Sequence, residues 1–212
     1  MTKQDEIAAK KVRQFEAAFL QSIADIKDDA KVAELERLIS NGDVDGVFRL
    51  LGLDDSAFNS VKDEIRSSFE EGGIYTAKAI SPIPVQGIGS VPFRFDMAVA
   101  SAVEWIQTRS STLVTEITQE QRELVRQTIA SRTSEGVNPK TTALDIVGRV
   151  DAITKKRTGG ILGLTLQQSE WIDNASGEID NLDSNYLNRK LRDKRFDRSF
   201  NKAMESGAAV PA

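Results

Sequence analysis

Four groups of residues in this chain have the types and spacing that chemistry uses. The stretch "NGDVDGVFRLLG" (41–52) puts Asn41, Asp43, Asp45 and Gly46 at the first, third, fifth and sixth positions of a calcium loop. A hard cation also needs a bidentate glutamate at the twelfth position, where Gly52 stands, and Arg49 places a positive charge at the ninth. A helix stop at Gly42, with Asp43 capping the next helix, accounts for the same residues. In "RTGGILGLT" (157–165), Gly159, Gly160 and Gly163 precede a helix N-terminus, where backbone N–H groups can gather a phosphate. The stretch lacks the lysine–hydroxyl ending of a P-loop, so the three glycines are read as hinge residues that let two helices turn sharply. Carboxylates stand close together at Asp54 and Asp55, Glu70 and Glu71, and Asp180 and Asp183. No second catalytic group accompanies them, and they read as solvated faces.

The fourth group is the segment "RKLRDKRFDRSFNK", in which Arg189, Lys190, Arg192, Lys194, Arg195, Arg198 and Lys202 face only Asp193 and Asp197. Seven cations against two carboxylates give +5 locally, which leaves −9 on the remainder of a chain whose net charge is −4. The upstream carboxylates Glu170, Asp173, Glu178, Asp180 and Asp183 could answer this charge internally. An acidic protein partner or the phosphates of DNA are the external alternatives. Drawn as one helix, the segment puts Leu187 and Leu191 on one side and Phe196, Phe200 and Ala203 about 180° away. Either the helix breaks near 192–195, or it is gripped from two sides.

The 212 residues contain neither cysteine nor histidine. Disulfides and thiolate zinc sites are therefore excluded, and the commonest general base and transition-metal ligand are missing. No catalytic residue, cofactor or metal site is expected, and the enzyme reading is set aside. No apolar run approaches the roughly 18–20 residues needed to span a bilayer. The charged start "MTKQDEIAAKKVRQFE" has no apolar core of a secretory signal, so a cytosol-like compartment is expected.

The elements that position these groups read as helices. Val12, Phe15, Phe19, Ile23 and Ile26 recur at three- and four-residue spacing, and Val32, Leu35, Leu38 and Ile39 repeat the pattern. A short helix is expected over 43–51. A longer one follows, with Phe58, Val61, Ile65 and Phe69 on one side and Gly72-Gly73 as breakers. Residues 81–94 form a proline- and glycine-rich linker whose Ile83, Val85, Ile88 and Val91 should lie against an apolar surface. Beyond it, Met97, Ala100, Val103 and Ile106 share a face. Thr118 and Gln121 have capping-box spacing for a further helix ended by Gly136. Pro139 opens the next helix, and Thr165 with Gln168 suggests a second capping box. The expected fold is all-α, an extended helical bundle with an irregular mid-chain linker. Its regions are 1–80, the linker 81–94, a second helical domain 95–206, and a tail 207–212.

The motif string of the second half resembles the phage Mu F-like minor head proteins, also called phage head morphogenesis proteins. A helix read in "ALDIVGRVDAI" (143–153) precedes "GGILGLT", a helix carrying Gln168 and Trp171, and the basic "RKLRDKRFDR". The likeness spans about 93–206; residues 1–80 carry none of it. It implies a virion structural protein of the head or portal region, synthesised in the host cytoplasm and acting in head assembly or genome delivery. The implied partners are a portal or neck protein and further copies of itself. An ejected internal protein that binds packaged double-stranded DNA through the basic segment is the alternative.

Overall fold

The computed structural model describes residues 3–206. The fold is all-α: among the described residues, extended pairing is confined to two antiparallel hairpins. In chain order come α1 (Lys3–Asp28), α2 (Val32–Ser40), α3 (Val44–Leu50), a 3-10 turn (Asp55–Phe58) and α4 (Asn59–Ala79). The hairpin β1 (Ile83–Val85) and β2 (Gly89–Val91) leads to α5 (Ala100–Ser134) and α6 (Pro139–Val147). A second hairpin, β3 (Arg149–Val150) with β4 (Arg157–Thr158), precedes α7 (Leu166–Asp180), a 3-10 turn (Ser184–Asn188) and α8 (Asp197–Ser206). The chain divides into two compact units between Gly163 and Leu164.

The first unit closes around one apolar core. α1 packs on α4, α4 on α5, and α6 on α2 and α5. Leu35, Val47, Leu53, Phe58, Val61, Val125 and Ile146 are wholly buried there. Each such side chain contributes about 1.5–3 kcal/mol by leaving water. Phe58 stacks on Phe19 of α1, with ring centroids 6.0 Å apart. Of the expected α1 stripe, Phe15, Phe19, Ile23 and Ile26 reach this core, but Val12 does not and stays exposed.

Four local expectations are corrected. The Gly72-Gly73 pair does not break α4, which continues to Ala79. A Cβ on Gly73 would stand 2.5 Å from the Phe95 ring, so the missing side chain admits that ring against the helix. Phe95 then meets Phe69 edge-on at 5.4 Å, and Phe69 stacks on Trp105 at 4.8 Å. Close approach, not chain reversal, is what this glycine provides.

Thr118 and Gln121 do not start a helix, because α5 runs unbroken for 35 residues. The Thr118 hydroxyl instead donates to the Val114 carbonyl one turn back, at 2.9 Å, and the Gln121 side chain leaves the helix to serve another loop. The "ALDIVGRVDAI" helix likewise stops at Val147, where Gly148 takes φ +82°.

Residues 81–94 hold the first hairpin, with Ile83 opposite Val91 and Val85 opposite Gly89. No apolar surface covers it: Ile83, Val85, Ile88 and Val91 are all exposed. The segment also lies inside the first unit, because α4 before it and α5 after it pack on each other.

Candidate interaction site

The candidate site lies in the second unit, where α7 and the basic segment meet. α7 begins with a complete capping box. The Thr165 hydroxyl accepts from the Gln168 N–H at 3.1 Å, and the Gln168 side chain accepts from the Thr165 N–H at 2.9 Å. This sets the phase of a stripe at three- and four-residue spacing that includes Trp171, Ile172, Ala175 and Ile179. After α7, Asp183 caps the 3-10 turn, in which Tyr186 is buried against Phe200 at 4.9 Å. The chain then runs without helix through 189–196 and re-enters helix at Asp197. The segment is thus broken where its two apolar sides conflict, and Phe200 and Ala203 of α8 are buried.

Arginine pairs hold this irregular run in place. Arg189 donates through Nε and Nη2 to both Glu178 oxygens, at 2.6 and 2.9 Å, and through Nη1 to the Trp171 carbonyl at 3.2 Å. Arg192 grips Asp197 in the same forked way, at 2.9 Å for each bond, and also donates to the Arg189 carbonyl. Arg195 pairs with Asp193 at the surface. These bonds hold the three guanidinium pKa values above the ordinary arginine range and the Asp193 carboxyl below the usual carboxylate range. Planar guanidinium forks that match carboxylates explain why the paired cations here are arginines.

Three of the seven cations are therefore spent on internal structure, the first of them on an upstream carboxylate. Lys190, Lys194, Arg198 and Lys202 are exposed and form no ion pair among the described residues. Arg198 and Lys202 share one face of α8. The unit as a whole is not basic. Against its seven cations, residues 164–212 carry eight carboxylates: Glu170, Asp173, Glu178, Asp180, Asp183, Asp193, Asp197 and Glu205.

The basic run and α7 enclose a groove of about 630 Å³. It is lined by the α7 stripe and Tyr186 on one side and by residues 189–193, with Leu191 among them, on the other. Trp171 and Ile172 are each 50% exposed, and Leu191 is 91% exposed. A leucine so bare, beside half-bare Trp and Ile, forms an apolar patch that no described residue covers. Sequence reasoning picked out the cations and missed the groove. The available signal was the α7 stripe running up to a segment whose helix had to break.

The other groups singled out in the sequence are occupied by the fold. The Asp43 carboxylate accepts from the Gly46 N–H at 2.8 Å, capping α3. Asp54 caps the turn at Ser56, Asp55 accepts from the Thr115 hydroxyl, and Glu71 pairs with Lys11. In the glycine loop, the N–H groups of Ile161, Leu162 and Gly163 are directed inward, to the Asp145 carbonyl, the Ile146 carbonyl and Gln121 Oε1. Those donors are not available to a phosphate.

Of the three hinge glycines, Gly160 presses on Gly148, and the Gly159 carbonyl accepts from Lys27 at 2.9 Å. Gly163 ends the first unit, and a Cβ there would stand 3.0 Å from the Ile23 side chain. Among the described residues, no cluster of three or more acidic side chains is placed to hold a metal ion. No helix there is long and apolar enough to cross a membrane. No known protein family, curated protein or solved structure matches this chain.

Proposed function

We propose that this chain works by contact, as a structural component of a phage head of the minor head protein type, bound near the portal or neck. The observation that carries the reading is the exposed groove of the second unit, a mainly apolar surface with Lys190, unpaired among the described residues, at its edge. Such a surface stores binding energy for a partner. The motif string from "ALDIVGRVDAI" to "RKLRDKRFDR" supplies the phage-head context, the implied portal or neck partner and the assembly of several copies. The test is to locate the chain in purified particles and to delete its gene. Co-purification with the portal and loss of infectious particles are expected. Normal, infectious particles that lack the chain would remove the reading.

One observation favours a second reading, DNA binding by an internal protein: four exposed cations form no ion pair among the described residues. Their charge is opposed by the carboxylate excess of the same unit, which limits how many phosphates could be neutralised together. A duplex DNA mobility shift that weakens steeply with salt and disappears on replacing Lys190, Lys194, Arg198 and Lys202 by Gln would favour it. No shift at low salt would exclude it.

A further inference from the structure

We propose that the groove between α7 and residues 189–193 receives an amphipathic helix of a partner protein, with aliphatic anchors on one side and carboxylates flanking them. This names the partner chemistry of the site described above and rests on the contact reading given there.

Shape and lining choose the helix. One side of the groove is the α7 helical stripe and the other includes Leu191, so the α7 side presents ridges to which side chains at i, i+3, i+4 and i+7 are matched. Its lining surface is mainly apolar. Tyr186 is only 4% exposed, which leaves Trp171 as the single aromatic face open to a stacking base. A single-stranded nucleic acid track uses successive aromatic platforms and is disfavoured on that count.

Charge chooses the flanks. On the basic side of the groove Arg189 is neutralised by Glu178, Arg192 by Asp197 and Asp193 by Arg195, which leaves Lys190 as the cation that no described residue pairs. The remaining α7 carboxylates Glu170, Asp173 and Asp180 sit more than about 90° around the helix from the groove stripe. Lys190 has no ion-pair partner among the described residues, so an incoming carboxylate need not break one of their pairs to reach it. Complementary charge at such an edge sets orientation and the rate of encounter, while the apolar lining supplies affinity.

The test uses the full chain and fluorescein-labelled helical peptides of about 16 residues, with Leu at helical spacing and either Glu or Lys on the flanks. Fluorescence anisotropy should show the Glu peptide binding about tenfold or more tighter than the Lys peptide. Leu191→Glu should weaken the Glu peptide about tenfold, and Lys190→Glu several-fold. Both positions are exposed, and far-UV circular dichroism checks that each variant folds. Trp171→Ala provides an independent variant on the opposite wall.

Equal binding of the two peptides, or binding indifferent to Leu191→Glu and Trp171→Ala, overturns the proposal. So does labelled DNA displacing the Glu peptide from the groove. Concentration-dependent self-association abolished by Leu191→Glu would assign the groove to a second copy and also overturn it. A chain absent from particles but selective for the Glu peptide would remove the head reading and leave the groove assignment standing. A chain present in particles without that selectivity would do the reverse.

Discussion

Arg189 and Glu178 are joined by a forked ion pair at 2.6 and 2.9 Å, and this pair fastens the non-helical run 189–196 to α7. Arg189 also holds the Trp171 carbonyl, so one guanidinium bridges two turns of the helix that lines the groove. Arg189→Lys keeps the charge and loses the fork. Amide exchange across 189–196 should accelerate roughly tenfold while α1–α6 exchange as before. Unchanged exchange in that run would show that Tyr186 and Phe200 alone hold it.

Phe58 is wholly buried and stacked on Phe19. Phe58→Ala should cost about 3–5 kcal/mol, read as a lower denaturation midpoint with an unchanged slope. A loss below about 1 kcal/mol would mean that the junction of α1, α4 and the 3-10 turn is not a packed core.

Gly159 and Gly160 both have positive φ, +71° and +77°, but differ in their space. A Cβ on Gly159 meets nothing within 4 Å, whereas one on Gly160 would stand 2.4 Å from the Gly148 nitrogen. Gly159→Ala should cost about 1–2 kcal/mol, from backbone strain alone. Gly160→Ala should cost roughly double or more, because rigid backbone has to move. Equal melting temperatures for the two variants would contradict this packing.

Lys11 joins α1 to α4 through Glu71 at 2.7 Å, Glu64 at 3.3 Å and Ser67 at 3.0 Å. The bond to Glu71 raises the Lys11 pKa from its usual 10.5, and the same bond lowers that of Glu71 from its usual 4.5. A lowered carboxyl stabilises the fold above its unfolded value, and that stability is lost as pH falls. A raised amine stabilises below its unfolded value, and that stability is lost as pH rises through the folded one. The melting temperature should hold level between about pH 5 and 10 and fall first on the acid side. Asp54, Glu123, Glu135 and Asp151 are lowered too, and steepen that fall. Glu71→Gln should flatten part of it; an unchanged acid limb would deny Glu71 this role.

The β1–β2 hairpin exposes Ile83, Val85, Ile88 and Val91, and its strands pair only with each other. Replacing 82–92 with a glycine–serine linker of equal length should shift the melting temperature by less than about 2 °C. A larger drop would show that the hairpin supports the α4–α5 packing.

Helix content, the positions of most caps, and the identity of the apolar faces were legible in the sequence, because each follows from contacts within about four residues. Asp43, Pro139 and the Thr165–Gln168 box sit where local hydrogen bonding puts them. Local signals misled where a distant group competes for the same atoms. Gly73 reads as a breaker until Phe95 arrives from 22 positions away, and Thr118 reads as a cap until a continuous α5 supplies the Val114 carbonyl.

The basic segment shows the same division. Its composition announced seven cations and a helix in conflict with itself. That Arg189 and Arg192 would be used up, and that the break would leave Trp171, Ile172 and Leu191 bare around a groove, depended on Glu178 and Asp197 being brought within bonding distance. Sequence determines what each short stretch prefers, because those energies are local. Tertiary structure decides which preferences are overridden and which side chains remain free, because burial and ion pairing depend on neighbours that the chain order does not name.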